Sequence, residues 1–282
     1  MRVSRVLSWV LTAFVAGSAL LGAAEALAAT GLPHEWQLGF QTPASPVKER
    51  IESLHNWLLV LITLITLFVM TLLGIVIVKF NARAHPVPSR TTHNTLIEII
   101  WTVVPVMILV VMAVPSFRLL YYLDRAPNAD MTIKVTGHQW YWSYNYPDQE
   151  NLGFDSYLVA DKDLKQGQPR LLTVDNELVL PAATTVRVLV TSTDVMHSWL
   201  VPSLGVQMYA VPGRTNETWV RVNEPGVYYG QCNQICGVNH PFMPIEVDVV
   251  SKEDFQKWVD GAKKKFAKAG TPASSVELAA VQ

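Results

Sequence analysis

Val186-Arg187-Val188-Leu189-Val190 sets a β-branched residue at every second position, the pattern of a strand with one face in a core. Related runs occur at Thr132-Ile133-Lys134-Val135, Leu171-Leu172-Thr173-Val174, Trp219-Val220-Arg221-Val222 and Ile245-Glu246-Val247-Asp248-Val249. Turn formers such as Glu224-Pro225-Gly226 separate them, and no helical period intervenes. Residues 126–250 are therefore predicted to form an antiparallel β-sandwich or barrel rather than a series of crossover units. Downstream, Ser251 with Asp254 reads as a helix start, and Phe255, Trp258, Val259, Ala262 and Phe266 recur at helical spacing. This predicts a C-terminal helix over 251–268, packed by that face, and a loose tail over 269–282.

Upstream of the strands the pattern changes. Trp57 to Val78 is 22 residues without a charge, enough at ~1.5 Å per residue to cross a hydrocarbon layer of ~30 Å. Ile99 to Phe117 is a second such run, with Pro105 placed to kink it. The loop between them carries Lys79, Arg83 and Arg90 and no acid before Glu98, which puts it in the cytoplasm by the positive-inside rule. The hairpin, 56–118, thus returns the chain to the outside, with 29–55 as an extracytoplasmic segment ahead of it. The first residues agree: Arg2 and Arg5, an uncharged stretch from Val6 to Ala24, then Ala26-Leu27-Ala28 read as a signal peptide over 1–28.

The chain has 282 residues, half of them hydrophobic, which suits one soluble domain plus membrane spans and excludes a large multidomain enzyme. Its 22 basic and 23 acidic residues leave a net charge of −1, without the positive field that nucleic-acid binding needs. Residues 130–250 alone hold 13 acidic and 7 basic side chains, a net of −6, so the exterior domain is acidic and would steer a basic partner.

Only two cysteines occur, and both lie in Gly230-Gln231-Cys232-Asn233-Gln234-Ile235-Cys236-Gly237-Val238-Asn239-His240-Pro241-Phe242-Met243. Two thiols, an imidazole and a thioether share one loop. His197 follows the strand ending near Thr191, and a sandwich can bring it to the same end. Soft sulfur with imidazole selects copper or zinc over hard cations. A disulfide accounts for the cysteine pair alone, and a structural zinc accounts for the cysteines and histidines but not for Met243. A mononuclear blue-copper site takes one Cys, two His and a weak Met, leaving a thiol over. Two thiolates bridging two copper ions use every donor and form an electron relay with no open position for substrate. The alternative is a zinc-bound or disulfide-stapled membrane subunit without electron transfer.

These residues carry a resemblance. Gly137-His138-Gln139-Trp140-Tyr141-Trp142-Ser143-Tyr144, His197-Ser198-Trp199 and Tyr228-Tyr229-Gly230-Gln231-Cys232 through Met243-Pro244, with the two-span hairpin, resemble subunit II of haem-copper cytochrome c oxidase of the bacterial type. The resemblance implies a cupredoxin-like barrel on a transmembrane hairpin, in the bacterial inner membrane with the C-terminal domain on the periplasmic side. It implies a binuclear CuA centre held by His197, Cys232, Cys236, His240 and Met243, with the backbone carbonyl of Gln234. Most members have Glu where Gln234 stands, and its side chain helps bind magnesium at the boundary with subunit I. A neutral amide holds a hard dication less strongly than carboxylate does, so that magnesium site is weakened.

By the same resemblance, electrons arrive from cytochrome c and pass to subunit I, where oxygen reduction and proton pumping occur; subunit III is a further partner. Trp140 is the electron's port into the domain, although strand alternation by itself would put Trp140 and Trp142 on one side in a core. Asp148, Glu150, Asp175 and Asp194 match the family's docking carboxylates, while Asn145, Asn151 and Thr193 replace acids found elsewhere in it. Glu98 matches the mouth of a proton pathway into subunit I, although an interfacial carboxylate at a helix start would otherwise be unremarked. No Cys-x-x-Cys-His haem attachment motif follows the domain, so the donor is a separate protein.

Overall fold

A computed structural model describes residues 31–87, 89–124, 126 and 128–267. The segment read as a signal peptide, 1–28, and the tail, 269–282, lie outside them. Helices α1 (Pro46–Lys79) and α2 (Thr95–Asp124) form the hairpin. Both are long and apolar enough to span a membrane, and no residue in the most apolar stretch of each is buried in the isolated chain, as lipid-facing or partner-facing helices must be. Helix α1 starts ahead of its apolar run, because Ser45 caps it through a bond from Lys48 N (3.0 Å) and Pro46 occupies the first turn. Pro105 and Pro115 both lie within α2, whose helical assignment continues through them. Asn94 opens α2 by accepting from Ile97 N (3.2 Å).

Ten strands follow: β1 (Met131–His138), β2 (Tyr141–Tyr146), β3 (Leu152–Ser156), β4 (Leu178–Pro181), β5 (Val186–Ser192), β6 (His197–Val201), β7 (Val206–Ala210), β8 (Asn216–Val220), β9 (Gly226–Cys232) and β10 (Pro244–Val250). They build two five-stranded sheets, ordered β3-β2-β1-β5-β8 and β4-β10-β9-β6-β7. The inward side chains of both form one core, including Ile133, Val135, Trp142, Val188, Val190, Trp199, Ile245 and Val247.

Two expectations need correction. The sheets are mixed rather than antiparallel, since β1 pairs β5 and β10 pairs β4 in parallel; such registers join segments far apart in sequence, and no local pattern reports them. The run Leu171–Val174 is not a strand. Leu171 takes φ of +65°, and Leu172 N and Thr173 N both bond to Pro169 O, so the backbone turns there and only Val174 makes an isolated bridge, to Leu158.

Helix α3 (Lys252–Ala267) begins as its sequence directs, with Asp254 N donating to Ser251 Oγ at 3.1 Å. Its apolar face covers the core edge: Phe266 stacks on Phe154 (4.7 Å), and Trp258 meets Tyr146 (5.3 Å). The sandwich is fastened to the membrane helices by more than the chain. Ala44 N bonds Ser203 O (2.9 Å), Ser45 Oγ bonds Leu204 O (2.6 Å), and Trp219 Nε1 bonds Tyr122 O (3.1 Å) while its ring meets Tyr122 edge-on. Gly205 allows the first approach. Its φ is +66°, and a Cβ there would stand 2.9 Å from Lys48 Cα.

Candidate metal centre

Cys232 closes β9, the loop after it carries Gln234, Cys236, His240 and Met243, and the first residue of β6 is His197. The register Trp199↔Cys232 between β6 and β9 sets His197, two residues before Trp199, beside the loop. Asn233 N to Ser198 O (3.0 Å) and Cys232 N to Met243 O (3.4 Å) tie the loop's start to β6 and to its own end. Trp142, fully buried, donates from Nε1 to Met243 O (3.2 Å) and stands edge-on to His197 at 5.9 Å. Opposite it, a Cβ at Gly137 would lie 2.9 Å from the His197 ring, so only glycine lets the imidazole pack there.

The donor atoms converge. Cys232 Sγ is 3.9 Å from His197 Nδ1, 3.9 Å from Cys236 Sγ and 3.4 Å from the Gln234 carbonyl oxygen. Cys236 Sγ is 3.6 Å from His240 Nδ1 and 3.6 Å from Met243 Sδ. The His197, Cys232 and Cys236 donors all lie within 4.8 Å of one another, and all three residues are buried. Both cysteines are free thiols. The donor set tests well against a soft metal: a separation of 3.9 Å between sulfurs is far beyond a bond of ~2.05 Å, yet short enough for one ion to touch both at a metal–thiolate distance of ~2.3 Å.

Ionisation follows the contacts. Burial raises the pKa of Cys232, but hydrogen bonds from His197, from the Ser198 and Gln234 backbone and from His240 outweigh it, and the net shift is downward. Burial and the adjacent Cys232 charge push the Cys236 thiol upward. The two thiols therefore do not ionise together until a cation lies between them. His197 is buried, which disfavours its charged form, yet contacts with Cys232 and Asp194 raise its pKa on balance.

Asp194 is the residue whose place at the centre the sequence reading missed. By the resemblance it is a docking carboxylate. Its Oδ1 accepts from His197 Nε2 (2.9 Å), its Oδ2 from Gln139 N (2.6 Å), and Val195 N donates to Oδ1 as well (2.6 Å). With Nε2–H held by the carboxylate, Nδ1 presents its lone pair toward the sulfurs, the arrangement that orients metal-ligating histidines. The Asp-x-x-His spacing was the available signal.

The other predicted residues fall into place around this core. Trp140 lies in the turn between β1 and β2, half-buried rather than in the core, and both its Nε1 (3.2 Å) and Gln139 Nε2 (2.8 Å) donate to the Cys236 carbonyl. Gln234 is half-buried in the ligand loop. Three more carboxylates are at the surface, each with a partner: Asp148 accepts from Thr132 N (2.7 Å), Asp175 from Tyr157 N (2.7 Å), and Glu150 pairs with Lys263 (2.9 Å). Glu98 is in the first turn of α2, far from this site in the chain, at the end of the hairpin that carries Lys79, Arg83 and Arg90.

A β-sandwich on two membrane helices, with a buried Cys2His cluster and a thioether at one end, defines a membrane-anchored soft-metal protein. Comparison with known sequences narrows this. The sequence pattern of the periplasmic domain of cytochrome c oxidase subunit II matches residues 131–250, and that of its transmembrane domain matches residues 33–119. The probable cytochrome c oxidase subunit 2 of Rickettsia bellii is 57% identical over 238 residues, covering 84% of this chain and 88% of that protein. The cytochrome c oxidase subunit 2 of Chondrus crispus is 47% identical over 239 residues, covering 83% of this chain and 94% of its own length. The crystal structure of the periplasmic domain of subunit II of cytochrome oxidase of Bradyrhizobium japonicum covers 50% of this chain and 99% of its own, at 51% identity and a TM-score of 0.48. This chain belongs to the cytochrome c oxidase subunit II family.

Proposed function

We infer that this chain is the electron-input subunit of a haem-copper cytochrome c oxidase in a bacterial inner membrane, taking electrons from cytochrome c on the periplasmic side and delivering them to subunit I. Subunit I, with subunit III beside it, reduces oxygen and pumps protons. The observation that carries the reading is the convergence of two free thiols, two imidazoles and a buried thioether in one loop region of a membrane-anchored sandwich.

The donors support a binuclear CuA centre with ligands His197, Cys232, Cys236, His240, Met243 and the Gln234 carbonyl. Because the two sulfurs are closer together than two metal–thiolate bonds laid end to end, Cys232 and Cys236 would be able to hold metal jointly, and the remaining donors would suffice for a second ion. Such a centre supplies one-electron exchange with little change in bond lengths. A zinc or disulfide reading leaves Met243, 1% exposed and 3.6 Å from Cys236 Sγ, without a task. The protein's own part is to hold this sphere before an electron arrives. Asp194 fixes the His197 tautomer, Trp142 anchors the Met243 carbonyl, and the β6–β9 register sets the distance between them.

Trp140 is assigned as the electron's port. Its indole is half-exposed on one side and bonded to the Cys236 carbonyl on the other, a one-residue link between surface and ligand. The surface carboxylates Asp148, Glu150, Asp175 and Asp194 supply the negative field for a basic donor, and Glu98 is assigned to the mouth of the proton pathway into subunit I. Magnesium at the subunit I boundary is held weakly, since Gln234 offers an amide. Metal counting and electron paramagnetic resonance on the copper-loaded full-length chain test the centre: two coppers sharing one unpaired electron are expected, and one copper, or zinc taken up in its place, overturns it. Stopped-flow reduction by cytochrome c tests the port. Trp140→Ala should slow transfer by orders of magnitude with binding little changed, and wild-type rates would reassign it.

A further inference from the structure

The ligand loop is held unevenly. Its apex carries Ile235 and Val238, 81% and 83% exposed, whose side chains do not pin it by packing, yet Cys236 between them is 5% exposed and has to keep its sulfur turned inward. The Cys236 carbonyl is the anchor. It accepts from Gln139 Nε2 (2.8 Å) and Trp140 Nε1 (3.2 Å), which fills both of its lone pairs. Apart from the sulfur contact between Cys232 and Cys236, these are the only hydrogen bonds among the described residues that join 235–239 to a residue outside the loop. Gly237 makes room for them: its φ is +125°, and a Cβ there would stand 2.8 Å from Trp140 Cζ2 and 3.2 Å from Gln139 Nε2.

The arm that carries His197 is held from the same place. Thr193 N donates to Gly137 O (3.3 Å), the Thr193 hydroxyl meets His138 Nδ1 (2.7 Å), and Gln139 N donates to Asp194 Oδ2 (2.6 Å). Asp194 in turn holds His197 Nε2 (2.9 Å). Gln139 therefore bonds to both arms at once, by its main chain to the carboxylate behind His197 and by its side chain to the main chain of Cys236. The residue lies at the surface, where water could satisfy the Cys236 carbonyl in its place, but a water there would leave the two arms unconnected.

We propose that Gln139 is a positioning residue of the metal centre, a clamp that holds Cys236 in register with His197 before any metal arrives. The inference rests on the reading of this cluster as the metal centre. Trp140, its neighbour on the same carbonyl, has the separate task of electron entry. With the amide gone, the cysteine arm is left with the longer indole bond alone while the histidine arm stays fastened to the end of β1. The Cys236 sulfur is then free to turn away from the other donors.

Gln139→Met and Gln139→Asn both keep the main-chain bond to Asp194 and remove the tie, the first by deleting the donor and the second by shortening its reach. In the metal-free full-length chain, initial alkylation by iodoacetamide, resolved by peptide mass spectrometry, reads how often the Cys236 sulfur comes out. Both variants should label Cys236 about fivefold faster than wild type, the scale of one hydrogen bond, with Cys232, at the end of β9, changed less than about twofold. Wild-type rates at Cys236 would overturn the clamp, and equal acceleration at both thiols would overturn it in favour of general loosening. In the copper-loaded chain, electron–nuclear double resonance should show the Cys236 β-proton couplings shifted and those of Cys232 kept, a signature that lost stability alone does not produce. Unchanged couplings at Cys236 would overturn the proposal. The labelling uses no metal, so it judges the clamp separately from the metal count that judges the centre.

Discussion

Two carboxylates of the sandwich, Asp194 beside the metal loop and Glu246 on the outer face of the second sheet, show opposite outcomes of partial burial. Burial opposes the ionisation of Asp194, yet bonds from His197, Val195 N and Gln139 N outweigh it and hold its pKa below the usual range. Glu246 is 6% exposed and accepts from Val174 N (2.8 Å), but burial together with the neighbouring Glu177 and Asp248 charges pushes its pKa up to about 7. Three donors turn a carboxylate into a fixed anion that aims a ligand. Deep burial with two like charges nearby, against one backbone donor and the Tyr229 hydroxyl, leaves a group that resists its own charge. Deeper burial is the largest cause of the Glu246 shift, and fewer donors act in the same direction.

The largest expected effect tests whether the metal end is an anion-and-donor assembly at all. Cys232→Ser removes the thiol whose ionisation the surrounding bonds favour, and it should abolish copper retention, read by metal analysis after dialysis; retained copper would mean that Cys236, His197 and His240 suffice. Because burial and the adjacent Cys232 charge push the Cys236 thiol upward, copper uptake should also release protons into a weakly buffered solution.

Next in size is the other carboxylate. The folded pKa of Glu246 stands above its unfolded value of 4.5, so the folded state binds the proton more tightly. The favourable contribution is full below about 4.5 and is lost as pH rises through about 7, leaving a penalty on the order of 3 kcal/mol for the ionised form. Glu246→Gln, which keeps the bond from Val174 N, should raise the unfolding midpoint at pH 8 by several degrees and change it little at pH 4. A pH-independent change would place the effect in packing rather than in charge.

Asp194→Asn comes third. The amide can still accept from one neighbour but no longer favours a cationic or metal-bound imidazole, and copper affinity should fall ~10–100-fold with the fold intact, measured by competition with a chelator. The smallest effect is expected from Tyr229→Phe. Tyr229 stands opposite Glu246 in the β9–β10 register and its hydroxyl contacts that carboxyl; losing it should cost ~1 kcal/mol and move the Glu246 transition slightly upward, visible in the pH dependence of unfolding.

Legibility of the sequence tracks how local each cause is. The spans, the capped start of α3 and the strands around Val186–Val190 and Ile245–Val249 depend on neighbours a few residues away, and their patterns were sufficient. The ligand loop was legible because four donor side chains lie within a dozen residues. What escaped depends on distant partners. Leu171–Val174 has strand composition but turns where Leu172 N and Thr173 N bond Pro169 O and Val174 N bonds Glu246, and β4, β6, β7 and β9 have no alternation clean enough to stand out. Asp194 reads from the sequence only as a docking carboxylate, because the Gln139 N–H that holds it at the centre lies 55 residues upstream, just after β1. Trp140 looked like a core residue because alternation was extended through a turn that breaks the strand just before it.

The contacts of Ala44 and Ser45 with the 203–204 turn, and of Trp219 with Tyr122, make the linker between α2 and β1 only one of three attachments between the membrane hairpin and the sandwich. A body held at separated points is restrained from swivelling and rocking. The height and tilt of the metal loop above the bilayer are thereby set by side-chain geometry at the heads of two helices, and the tolerance for exchanging electrons with a neighbour in the same membrane is built into the periplasmic ends of the spans, a full domain away from any ligand.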